Sequence, residues 1–147
     1  MRSDEVSADI KVFISSKSQA RHSPGLGHGV VELCERVERL GSLNKAAADM
    51  GMAYSKAWRI VKQAEEGLDV ALFLRQGARG SCLTEEAKAL IELFRKVERE
   101  TNACANRGLR ESLDDLVDKG VLSHASAPDL EKKATPELIA QVRALGL

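Results

Sequence analysis

The chain has 147 residues, 44% apolar and 30% charged, the balance of a folded globular protein rather than a disordered one. Lys plus Arg and Asp plus Glu both number 22, so the net charge is zero, which excludes a polybasic scaffold that coats nucleic acid by charge alone. Aromatics at 3% argue against a stacking platform for single strands. No apolar run is long enough to cross a bilayer, so no membrane partner is expected. The acidic start MRSDEVSADIK lacks the apolar core of a signal peptide, and a cytoplasmic protein is predicted.

In chain order, DIKVFIS (Asp9 to Ser15) reads as a short strand, and the polar stretch SKSQARHSPGLGHG as a hairpin or loop leading to a helix. From Val30 the apolar positions Val30, Val31, Cys34, Val37 and Leu40 recur at helical spacing, and Gly41 ends the pattern. Ser42 is a good N-cap for the two-turn helix LNKAAADM, which Gly51 breaks. A second helix is expected from about Ala53 to Glu66, with Ala57, Ile60, Val61 and Ala64 facing inward.

After Gly67, VALFLR reads as a strand, QGARG as a glycine-bearing turn and SCLT as the returning strand. Thr84 then caps a long helix, TEEAKALIELFRKVERE. RESLDDLVDKGVL is a further amphipathic helix, HASAP a linker, and TPELIAQVRAL a helix with Thr135 as cap and Pro136 at its first position. This order predicts a mainly α fold with a small β-sheet: a winged helix-turn-helix with a long C-terminal dimerisation helix and a helical tail. The expected divisions are a flexible N-terminus at 1–8, the winged domain at 9–100 and a helical extension at 101–147.

Small residues let two short helices cross closely, Ala47 at their crossing and Gly51 in the positive-φ turn. The outward face of the second helix carries Tyr54, Ser55, Lys56, Arg59 and Lys62, hydroxyls and cations of the kind that reach guanine edges or phosphates. The wing adds Arg75 and Arg79 beside glycines, suited to phosphates or a minor groove. Trp58 reads as core or interface rather than as a base-stacking residue.

Residues from about Asp9 to Val97 resemble the N-terminal winged-helix domain of the molybdate-responsive regulator ModE, itself similar to the DNA-binding domain of LysR-type regulators. GSLNKAAADMGMAYSKAWRIVKQAEE carries the resemblance, above all GS, AA, GM and YSKAW; DIKVFIS, GLGHG and the wing closing on LT fit as well. It implies that Ser42 and Lys45 fall at the phosphate-contacting start of the first motif helix. It likewise puts Tyr54, Ser55, Lys56 and Arg59 at the groove-facing start of the second. Ala53 stands where that family has a Ser or Thr cap, and the wing is short. Residues 101–147 have neither the length nor the pattern of its oxyanion-binding β-barrel modules, so molybdate sensing is not carried over.

Cys34, Cys82 and Cys104 form no CxxC pair, and His22, His28 and His124 have no second ligand at metal spacing, so no metal or cofactor is expected. No nucleophile–base pair stands among sequence neighbours, and no catalytic residue is expected. The expected function is a sequence-specific regulator that binds double-stranded DNA as a homodimer, joined through Leu90, Ile91, Phe94 and Val97. That pairing would set two recognition helices roughly 34–36 Å apart. The rival readings are a winged-helix interaction module that has lost DNA binding, which the neutral charge favours, and a small thiol or histidine enzyme.

Overall fold

A computed structural model describes residues 5–17 and 24–122, together with 140, 143, 144 and 146. Of the expected tail helix only Ala140, Arg143 and Ala144 are described, all three helical; its cap Thr135 and Pro136, the HASAP linker, His22 and His124 lie outside the described residues. By packing, the chain divides into two units, one of residues 10–101 and one combining 1–9 with 102–147.

The elements run β1 (Phe13–Ile14), β2 (Leu26–Gly27), α1 (His28–Leu40), α2 (Leu43–Asp49), α3 (Tyr54–Leu68), β3 (Phe73–Arg75), a 3₁₀ turn (Gly77–Arg79), β4 (Ser81–Leu83) and α4 (Glu85–Asp118). β1 pairs antiparallel with β2, Phe13 opposite Gly27 and Ile14 opposite Leu26. The strand expected over Asp9 to Ser15 is thus only two residues long, because its partner gives way to α1 at His28. β3 and β4 form the wing, with Phe73 opposite Leu83, Leu74 opposite Cys82 and Arg75 opposite Ser81.

α1 buries Val30, Val31, Leu33, Cys34 and Val37, the stripe that the three-and-four spacing predicts. Ser42 caps α2 by accepting the Lys45 N–H at 3.2 Å. Gly51 takes φ +67° in the turn, and the Met52 N–H closes it onto the Ala47 carbonyl at 2.9 Å. α3 continues to Leu68, two residues past its expected end, and stops at Asp69 in the left-handed conformation. Gly67 is not the stop; it is buried, and its carbonyl accepts the Ser16 N–H at 2.8 Å.

Two apolar clusters hold this first unit together. One, behind α2 and α3, joins Leu33, Val37, Leu43, Ala46, Ala47, Ala57 and Val61. The other joins Leu26, Val30, Val31, Cys34, Ala64, Leu72, Leu83, Ala87, Ile91 and Phe94, with Leu90 packed against it. This corrects the expectation that Ile91 and Phe94 face a second protomer. β2, β4, α1 and the residue before β3 bring Leu26, Leu83, Val31 and Leu72 into one cluster with α4, so Phe94 is fully buried and Ile91 is 8% exposed within one chain. Leu90 and Val97 are half-buried.

Thr84 starts α4 as expected: its hydroxyl accepts the Ala87 N–H at 3.0 Å and donates to the Ala71 carbonyl at 2.7 Å. Two expected helices are one, since α4 runs unbroken through Gly108 to Asp118. Arg95 clamps α4 to α1 with a two-pronged contact to Glu35 at 2.9 and 2.7 Å and also holds Glu98 at 2.8 Å. Glu98 accepts from His28 at 2.7 Å. Burial pushes the Glu98 carboxyl upward, but the His28 and Arg95 hydrogen bonds prevail and hold it below the usual carboxylate range. Burial, reinforced by Glu35 and Glu65, pushes the Cys34 thiol up to about 12, so it serves as a small core hydrophobe.

In the second unit the Asn106 side chain accepts the Ala8 N–H at 2.9 Å and donates to the carbonyls of Ala8 at 2.9 Å and Asn102 at 2.7 Å.

Two outcomes follow for stability. Phe94→Ala should cost about 3–5 kcal/mol in urea unfolding, independent of protein concentration, as a vacated core site does. For Glu98, the lowered pKa means that its contribution is complete above its ordinary value of 4.5 and is lost as the pH falls below it. Glu98→Gln should therefore flatten the acid limb of the stability curve and leave its neutral-to-alkaline shape unchanged.

Candidate nucleic-acid interface

The start of α2, the start of α3 and the wing converge on one side of the first unit. Ser42, Leu43 and Asn44 from α2, Tyr54 from α3, and Arg75, Gly77, Gly80 and Ser81 from the wing line a cleft of about 330 Å³. The wing is held there by backbone. The Ser81 N–H donates to the Gly41 carbonyl at 3.2 Å, and a Cβ on Gly80 would stand 2.3 Å from that same oxygen. Gly80 also has φ +94°, so both its conformation and its neighbour require glycine.

α3 turns Ala57, Val61 and Ala64 inward and Ile60 partly so. Tyr54, Ser55, Lys56, Arg59 and Lys62 are exposed, as the sequence predicts. Ala53 makes no side-chain cap bond at the start of α3. Lys45, on α2, and Arg79, in the wing turn, are exposed as well. Among the described residues no carboxylate pairs with Lys45, Lys56, Arg59, Arg75 or Arg79.

Lys62 differs from the other cations. Its Nζ lies 2.8 Å from a Glu65 carboxylate oxygen and 4.7 Å from the centre of the Trp58 ring. The Arg75 guanidinium, from the wing, stands over the same ring at 4.4 Å. Glu65 fastens this corner, because its other oxygen accepts the Leu72 N–H at 2.8 Å.

Ser42, Tyr54 and Arg75 thus border one cleft, and Lys62 and Arg75 meet at Trp58, whereas Leu90, Ile91, Phe94 and Val97 belong to α4. Sequence reasoning missed Asn44 in the cleft, the tie made by Glu65, and the pairing of Trp58 with two cations. The Lys62 half of that pairing carried a signal, since a cation four residues after a helical Trp lies on the same face. Arg75 carried none. Among the described residues no group of metal-ligating side chains assembles, and no helix is long and apolar enough to cross a membrane.

Residues 30–88 match the family model of the bacterial regulatory helix-turn-helix protein, lysR family. No curated protein matches the chain. The matched span covers α1 from its third residue, the two motif helices, the wing and the first residues of α4. Residues 30–88 are accordingly a LysR-type helix-turn-helix domain, the DNA-binding part of a transcription regulator.

Proposed function

We propose that the protein is a sequence-specific regulator that grips duplex DNA with α3 in a major groove and the wing against the flanking backbone. One observation carries this reading: α3 and the wing, whose Tyr54 and Arg75 line one cleft with Ser42, expose Lys56, Arg59, Arg75 and Arg79, none of them paired with a carboxylate among the described residues. Arg59 faces away from Ala57, Val61 and Ala64, where a guanidinium can address a base edge with two hydrogen bonds. Lys56, Arg75, Arg79 and Lys45 supply phosphate contacts. A closer kinship with the molybdate-responsive regulators rests on the YSKAW motif and the glycines around it. In this reading residues 9–100 are the DNA-binding domain, 1–8 precede it, and 101–147 extend it.

The reading includes a homodimer, which would set two α3 helices at successive major grooves. With Ile91 and Phe94 interior, the side of α4 available for pairing carries Leu93, which is 47% exposed, flanked by half-buried Leu90 and Val97 at i, i+3 and i+7 spacing. Leu93→Glu should convert a sedimenting dimer to a monomer with an unchanged helical spectrum. A wild type that sediments as a monomer at micromolar concentration would remove the dimer from the reading.

Binding curves test the DNA contacts. If six to ten phosphates are engaged by the dimer, affinity should fall about 10³–10⁵-fold between 50 and 200 mM salt. Arg59→Ala should cost about 1–3 kcal/mol on the preferred site and relax selection at one base pair. Lys62→Ala should weaken specific and scrambled duplexes alike, and by less, because Glu65 already offsets its charge. A flat salt response would promote instead a winged-helix module that docks a protein partner.

A further inference from the structure

Trp58 is the only tryptophan of the chain, and it stands half-buried on α3 at the edge of the alanine-rich cluster. Its ring carries two cations from different elements, Lys62 one helical turn onward at 4.7 Å and Arg75 from β3 at 4.4 Å. Tyr54, Phe73 and Ser81 close a second cleft of about 180 Å³ around them. The two cations are held differently. Lys62 also meets the Glu65 carboxylate, whereas Arg75 has no carboxylate partner among the described residues.

An aromatic ring attracts a guanidinium through its quadrupole and takes up no hydrogen-bond donor. A carboxylate partner would hold the head group equally well, but it would occupy the N–H groups that a phosphate needs. The ring therefore fixes the position of Arg75 and leaves its donors free. Without it, a long side chain on an exposed two-stranded ribbon would sample many rotamers, and ordering it on binding would weaken affinity.

We propose that Trp58 is a positioning residue for DNA binding: it ties the wing to the recognition helix by holding Arg75 ready for a backbone phosphate. This rests on the DNA-binding reading above. Trp58 itself need touch no base, and Arg75 acts from a place set by α3 as much as by its own strand.

The test is a mutant cycle on the full chain, using a fluorescein-labelled duplex of about 30 base pairs and mixed sequence at low salt, where phosphate contacts dominate. Trp58→Leu should weaken binding about 3- to 10-fold per protomer, Arg75→Gln by a similar factor, and the double variant no more than Arg75→Gln alone. Trp58→Phe, which keeps an aromatic face, should recover most of the loss. Losses that multiply in the double variant would overturn the proposal, since Trp58 would then act independently of Arg75.

A second measurement leaves Trp58 in place. In the free protein, Arg75→Gln should reduce quenching of Trp58 fluorescence by iodide and increase quenching by caesium; unchanged quenching by both ions would overturn the proposal even if Trp58→Leu did not fold. If the wild type shows no salt-dependent binding, the DNA-binding reading fails and this inference with it. Salt-dependent binding with independent losses removes this inference alone.

Discussion

The arrangement of the candidate interface depends on a contact between two turns. Gly80 of the wing lies so close to the Gly41 carbonyl that no side chain fits between them, and the Ser81 N–H donates to that oxygen. Gly41 also ends α1, through its N–H to the Val37 carbonyl, and precedes the Ser42 cap that begins α2. One residue thus closes a helix, sets the start of the next and receives the wing. Because the contact is between backbones, the wing's position does not vary with the rotamers of its basic side chains. The ribbon is then held a second time, through Arg75 at Trp58, and so is referred to α3 as well as to the turn before α2.

Zero net charge and nucleic-acid binding are compatible here because several carboxylates are committed to cations of the framework. Glu35 and Glu98 hold Arg95 between α1 and α4, Asp49 holds Arg36 and Arg39, and Glu65 holds Lys62. These pairs cancel charge within the framework. Lys56, Arg59, Arg75 and Arg79 are left without carboxylate partners among the described residues, so basic groups stay available at α3 and the wing although the sum over the chain is nil. The neutrality that favoured an interaction module in the sequence is a property of the whole, whereas binding depends on the distribution.

Much of the framework was legible because it is local. Periodicity at three and four residues located α1 and α3, a Ser before LNKAAADM marked the α2 cap, and glycines marked both turns. Which surface an apolar stripe meets is not local. The spacing of Leu90, Ile91, Phe94 and Val97 announces a buried face of α4 but is silent on whether its partner is another chain or Leu26, Leu72 and Leu83 of the same one. The break expected near residue 100 was absent for a related reason: Asn102, Asn106 and Gly108 weaken a helix without forbidding it. The union of Trp58 with Arg75 was hidden because it joins a helix to a strand across a turn whose geometry only the fold defines.

The two core clusters differ in what they can tolerate, and the difference bears on the interface. Around Phe94 large side chains from four elements meet, far along the chain from the basic residues of α3. Behind α2 and α3, Leu33, Val37, Leu43 and Val61 pack with Ala46, Ala47 and Ala57, whose side chains contribute little burial but are small enough to let the two helices approach. A larger residue at any of the three would act less by removing favourable contacts than by wedging α3 outward, at a cost of about 1–3 kcal/mol. Such a shift would carry Trp58 with it and separate the helix from the wing that Gly80 holds on Gly41. The alanines therefore set the distance across which the cations of α3 and the wing can act together, although none of them belongs to the exposed face.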